Sequence, residues 1–164
     1  MFFYIEHFTT DMRFWDWAMA NDISLFPCIV NTTWNEGINY AKGRETEAYH
    51  IDTTDLDSMI RSLASVNSRM AMNKQLRGPY DAPTQWRDDC LGIAKLMKPD
   101  FLVYTGTMGC RNSWGVNKLL QRDTERAGFP TLINFADAFD DRVVSWEAYR
   151  DKITEFMKVR GIGA

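Results

Sequence analysis

Histidine and cysteine are scarce in this chain, with two of the first and three of the second among 164 residues. Cys28, Cys90 and Cys110 stand 62 and 20 residues apart. That spacing matches no CxxC-type zinc pattern, and an odd number argues against a disulfide framework. No run approaches the roughly 18–20 apolar residues of a membrane span. The N-terminus, MFFYIEHF, lacks the basic n-region and cleavage site of a signal peptide. With no secretion signal, a reducing cytoplasm is the expected compartment. The first residues read as a strand that begins almost at once, as expected of a domain cut from something longer. No Gly-rich phosphate loop is present. A formal net charge of -3 gives no electrostatic case for nucleic acid or an anionic membrane. Internal repeats, low-complexity segments and linkers are also missing, so residues 1–164 read as a single domain.

What is present suits a soluble globular chain: 45% hydrophobic and 25% charged residues. Ten Phe and six Trp suggest a chain that buries much of its surface, part of it against a partner.

The periodicity predicts alternating strands and helices. Met1 to Ile5 is an apolar strand. Thr9 or Thr10 can cap a helix that runs to about Asn21, with Phe14, Trp17 and Ala18 on one face. LFPCIV, Leu25 to Val30, reads as a second short strand, placed at an edge by Pro27. Residues 31–51 have no clear period and many turn formers, and so read as a long loop of the kind that serves function or a partner. Asp52-Thr53-Thr54 offers a cap for a helix whose buried stripe is Leu56, Met59, Ile60 and Leu63. Further helices are expected over about Pro83 to Met97, Ser113 to Ala127 (ended by Gly128) and from Ser145 to Gly161. The last carries Trp146, Tyr149, Ile153 and Phe156 on one face. FLVY, Phe101 to Tyr104, and Thr131 to Phe135 are the remaining strands. Continuously apolar strands separated by helices argue a parallel sheet covered on both faces. The expected fold is a small doubly wound α/β domain, Rossmann-like or flavodoxin-like, of about four strands in order 2-1-3-4.

Ligands of open α/β sheets bind beyond the carboxyl ends of the strands. VYTGTMGCRNSWG, Val103 to Gly115, carries Cys110 just past one strand end. ADAFDDR, with Asp137, Asp140, Asp141 and Arg142, follows the neighbouring strand, so both loops should share one edge. Cys90 shares a helical stripe with Trp86, Ile93 and Met97 and reads as core. Cys28 reads as buried, with a site role kept open by its place near a strand end. Cys110 lies off any apolar stripe. Gly106 and Gly109 flank its loop, and a helix start and Arg111 downstream would stabilise a thiolate. Such a thiolate could be a metal ligand or a nucleophile. His7, which follows the first strand, could serve as the base for a nucleophile; His50 is the only other histidine. One thiolate cannot hold a metal alone, so the other ligands would have to come from elsewhere. The acidic loop reads as a solvated turn with a helix cap, or as polar contact to a ligand. Arg69, Arg77 and RGPY (Arg77 to Tyr80) are weak candidates for binding an anion. Trp34, Tyr40 and Tyr49 in the long loop could line an apolar pocket or an interface.

At MGCRN, Met108 to Asn112, the chain resembles the 2-hydroxyacyl-CoA dehydratase and benzoyl-CoA reductase subunits. PDFLVYTGTMGCRN, GFPTLINFADAFDDRVVS and the closing helix YRDKITEFM follow that family's C-terminal domain in order and spacing over about 60 residues. The first 100 residues fit more loosely as the rest of that domain. The MGC[RK]N wording leans towards the reductase side. The resemblance implies an oxygen-sensitive iron–sulfur enzyme of anaerobic metabolism, an oxidoreductase or lyase acting on acyl-CoA thioesters, with a [4Fe-4S] cluster between two similar α/β domains. Cys110 occupies the position of one cluster ligand, with Gly109 and Arg111 beside it. The other ligands would lie in a preceding domain that this chain lacks, and Cys28 and Cys90 match none of them. A homologous partner subunit and an ATP-hydrolysing activator protein are implied as partners. The chain alone is then not expected to hold a full cluster or to turn over substrate. Its exposed aromatics would mark the surface that packs on the missing domain or subunit. The other readings are a cluster-free binding or assembly domain of the same fold and a thiol enzyme that uses Cys110 with His7.

Overall fold

Three strands pair in parallel in the computed structural model, which describes residues 2–3, 8, 11–24, 51–69, 85–107, 111–137, 140 and 142–163. In chain order the elements are β1 (Phe2–Phe3), α1 (Met12–Ala20), α2 (Leu56–Arg69), α3 (Gln85–Met97), β2 (Leu102–Thr107), α4 (Arg111–Arg126), β3 (Thr131–Ala136) and α5 (Trp146–Arg160). The sheet order is β1-β2-β3, which is the 1-3-4 portion of the expected order. The remaining expected strand, Leu25 to Val30, lies outside the described residues.

Both faces of the sheet are covered, and the strand sequences show why. Phe101, just before β2, Val103 of β2, and Leu132 and Ala136 of β3 point to one face. There they pack with Phe14 of α1 and Trp146, Tyr149 and Ile153 of α5. Side chains alternate along a strand, so Leu102 and Tyr104 point to the other face, both fully buried. That face is covered by α4, which contacts both strands, while α3 packs against α4. The buried stripe of α4 is Asn117, Leu120 and Thr124, and that of α3 includes Cys90, Ile93 and Ala94. Cys90 is fully buried, as its stripe predicts. With both faces dry, the strands need no polar alternation, and Leu102 to Thr105 are buried without interruption.

Several boundaries differ from the sequence expectation for local reasons. The cap of α1 is Asp11 rather than Thr9 or Thr10. Its carboxylate accepts the Arg13 N–H at 2.9 Å and pairs with the Arg13 guanidinium at 2.6 Å, a double tie that a threonine cannot make. The cap of α2 is Asp55 rather than Asp52, Thr53 or Thr54, because Asp55 accepts the Ser58 N–H at 2.7 Å. Asp52 is occupied within its own turn, accepting from Thr54 at 3.0 Å. α4 begins at Arg111, two residues before the expected Ser113. β2 extends to Thr107, so Gly106 is a buried strand residue opposite Phe135 rather than part of a loop. The cap of α5 is Ser145 as expected, and its end is Gly161 at φ +64°, the left-handed position that glycine fills without strain.

One correction concerns a face rather than a boundary. Leu56, Met59, Ile60 and Leu63 of α2 are not buried: their exposures run from 37% to 69%. The half-buried side of α2 is its serine side, where Ser62 accepts the Asp52 N–H at 3.0 Å.

The outer margin of β3 is closed by side chains. The Thr131 N–H donates to Glu125 at 2.9 Å, the Thr131 carbonyl accepts from Gln121 at 2.9 Å, and the Phe135 N–H donates to Asn134 Oδ1 at 2.9 Å. Lys152 of α5 lies over the Phe135 ring, 4.9 Å from its centroid. Burial there lowers the Lys152 ammonium pKa, and the charge of Lys118 adds to the shift. α3 and α4 are tied by Arg87, whose guanidinium reaches Asp123 at 3.0 Å. Truncating a core residue of the α5 stripe should therefore be costly: Ile153→Ala, at a fully buried position, is expected to lose about 2–5 kcal/mol. Val159→Ala, on the exposed side of α5, should stay within about 0.5 kcal/mol of wild type. Urea unfolding of the two variants checks the difference.

Candidate functional site

The pairing of β2 with β3 runs in unbroken register from Leu102↔Thr131 to Thr107↔Ala136. Both strands therefore end at the same level, and both following segments leave from the same edge of the sheet, as expected. After β2, only Met108, Gly109 and Cys110 separate the strand from the first residue of α4. Gly109 and Cys110 lie outside the described residues, and of Arg111 the described part is the backbone that opens α4. The sequence thus fixes Cys110 between the third residue past a strand end and the start of a 16-residue helix. No acidic residue stands in the first turn of α4 to offset the positive end of its dipole.

After β3, Asp137 accepts the Asp140 N–H at 3.1 Å, and Asp140 accepts both the backbone N–H of Arg142 at 3.0 Å and its guanidinium at 2.7 Å. The guanidinium of Arg142, and then its N–H, hold the Asp140 carboxyl below its ordinary pKa. This segment is a self-bonded turn that leads into the Ser145 cap, which is the plainer of its two readings. Asp141 lies outside the described residues.

Just beneath this edge sits a polar cluster that sequence reasoning missed. Thr105 and Asn134 are register partners on neighbouring strands, and both face α5. The Tyr149 hydroxyl lies 2.8 Å from Thr105 Oγ1, while Asn134 Nδ2 donates to the Tyr149 carbonyl at 3.2 Å. All three residues are buried, and Phe8 covers the tyrosine ring at 4.7 Å between centroids. The signal was available: Thr105 and Asn134 are each a polar residue inside an otherwise apolar strand, where an unmet hydrogen bond would be costly.

The other candidates are not brought together by the described residues. His7, Cys28, Trp34, Tyr40, Tyr49, His50 and Arg77 lie outside them, as does the side chain of Arg69. Among the described residues no group of three or more His, Cys, Asp or Glu could hold a metal ion. Cys90 is fully buried. Among the described residues no helix is long and apolar enough to cross a membrane.

Residues 29–159 match the family of the 2-hydroxyglutaryl-CoA dehydratase D-component. The chain belongs to that family. The match covers every described element from α2 to α5, well beyond the stretch from Lys98 onward that carries the resemblance in sequence. No curated protein and no solved structure matches the chain. Family membership makes the chain a dehydratase-type component.

The carboxylate of the Asp140 turn is a direct handle on this edge. Its folded pKa is depressed, so the stability it contributes is present above the unfolded carboxylate pKa of about 4 and is lost as pH falls through the lower folded value. Asp140→Asn is expected to lose less stability than wild type between about pH 5 and pH 3, measured as the shift of the urea midpoint at each pH.

Proposed function

We propose that this chain is the domain of an acyl-CoA dehydratase or reductase that supplies one thiolate, Cys110, to a [4Fe-4S] centre. The observation that carries the reading is the position of Cys110. In the sequence of a chain of this family it is the last of three residues between the end of β2 and the start of α4, and the ends of parallel strands are where open α/β sheets bind ligands. An anionic sulfur there would be stabilised by the amino end of α4 and by the charge of Arg111.

The donor set fits one corner of a cluster and no more. Four thiolates are the usual complement, whereas this chain has three cysteines and one of them, Cys90, is enclosed in its core. The remaining ligands would come from a second domain outside these 164 residues, and a homologous subunit and an ATP-hydrolysing activator complete the proposed assembly. When bound, the group supplies single low-potential electrons to a thioester-activated substrate. The contribution of this chain is to hold the thiolate, to keep its connector short between a strand and a helix, and to exclude water through the dry faces of the sheet. The MGCRN wording (Met108 to Asn112) favours the benzoyl-CoA reductase branch, which fits the same donor arrangement.

Anaerobic reconstitution with iron and sulfide, with the cysteine-bearing domain supplied, tests the assignment. Wild type should develop the broad visible absorption of an iron–sulfur centre, and Cys110→Ala should lose it or show an altered electron paramagnetic resonance spectrum. Identical spectra for the two proteins would refute ligation by Cys110. Iodoacetamide labelling of Cys110 against pH then separates the remaining readings. A depressed thiol pKa with full labelling would favour a nucleophile, and an ordinary profile a cluster-free binding domain.

A further inference from the structure

Among the described core positions, the α5-facing side of the sheet is apolar except at one register pair, Thr105 and Asn134. Phe101, Val103, Leu132 and Ala136 pack against Phe14, Trp146 and Ile153, and into this surface are set Thr105, Asn134 and the hydroxyl of Tyr149. Valine, leucine and phenylalanine would fill the same volumes without desolvating three polar groups. Local exceptions of this kind are where function is expected to be found.

We infer that Tyr149 is a positioning residue for the carboxyl-edge site. It reaches β2 through its hydroxyl and β3 through its carbonyl, at 2.8 and 3.2 Å, and it does so at a single register pair, Thr105↔Asn134. That pair lies two residues before the last paired residues, Thr107 and Ala136. Tyr149 itself is in the first turn of α5, four residues from the Ser145 cap, and the acidic turn Asp137 to Arg142 leads into that cap. Through its hydroxyl and its backbone carbonyl, this one residue ties three points: the end of β2, the end of the neighbouring strand, and the start of the helix that closes the acidic turn. Dispersion between apolar side chains is non-directional, and it would leave the strand ends free to slide or twist against α5. Hydrogen bonds of fixed length and angle do not.

The inference rests on the reading that the site is at this edge, but its test needs no cluster. In the full chain, each cysteine is labelled with iodoacetamide at neutral pH and read separately by peptide mass spectrometry. Tyr149→Phe and Thr105→Val both remove the hydroxyl bond to β2 while conserving volume, and leave the Asn134 bond to the Tyr149 carbonyl in place. Each is expected to change the Cys110 labelling rate by roughly threefold or more, within the range of side-chain couplings. Buried Cys90 should remain protected in both variants. Thr105→Ser, which keeps the hydroxyl, should restore the wild-type Cys110 rate. The double variant Tyr149→Phe/Thr105→Val should match the single variants, because both remove the same bond. Cys110 rates that agree within about twofold across wild type, Tyr149→Phe and Thr105→Val would overturn the assignment. So would labelling of Cys90 that rises in step with Cys110, since that reports general loosening. Failure of the cluster reading shows separately, as the absence of a Cys110-dependent chromophore, and leaves the labelling comparison intact.

Discussion

A parallel pair of strands cannot be closed by a hairpin, so the chain leaving Thr107 must return across the sheet before it can pair again at Thr131. α4 is that return, and its start is thereby pinned to the end of β2. Almost everything of functional interest follows from this constraint. The register from Leu102↔Thr131 to Thr107↔Ala136 levels the two strand ends. The crossover then leaves only Met108, Gly109 and Cys110 to turn from strand to helix. In the proposed reading this short connector carries the thiolate, and a short mounting is what a metal ligand or a reactive thiolate needs.

The same crossover explains where polarity sits in the interior. The face towards α4 carries Thr124 and Thr131 with their hydroxyls 2.6 Å apart, and Glu125 and Gln121 meet the N–H and carbonyl of Thr131. These groups lie at the amino end of β3. At the carboxyl end, the opposite face carries Thr105, Asn134 and Tyr149. β3 is thus tied to α4 at its start and to α5 near its finish. On its outer margin, side chains meet the Thr131 N–H and carbonyl and the Phe135 N–H, which blunts an edge that could otherwise pair with another chain.

Much of the fold was legible because its signals are local and redundant. FLVY and TLINF are continuous apolar runs, Gly128 and Gly161 stop their helices with positive φ, and the Trp146, Tyr149, Ile153 stripe has a single period. Caps were less legible, since Thr10 and Asp11, or Thr54 and Asp55, are neighbours of equal promise, and a paired arginine or a free N–H decides between them. Gly106 misled for a physical reason: glycine signals a turn when read alone, but here it is a strand residue whose backbone is held by pairing with β3. The stripe of α2 shows a different limit. Periodicity says which residues share a face, not what that face meets. Leu56, Met59, Ile60 and Leu63 do share one, yet it is the serine face that is half-buried. Of the candidate site, the edge and the position of Cys110 on it were readable. The polar tie beneath it was not, because it depends on strand register, which no single strand reveals.

The cysteines show how topology separates residues that composition treats alike. Cys90 and Cys110 look equivalent by sequence count. Cys90 is fully buried on α3, where a thiol packs as a small apolar group. Cys110 stands in sequence immediately before a helix whose first turn carries no acidic residue. In the proposed reading that helix start favours a thiolate, whereas Cys90 serves packing. A cluster takes several thiolates, so the proposed centre would draw its other donors from outside these 164 residues.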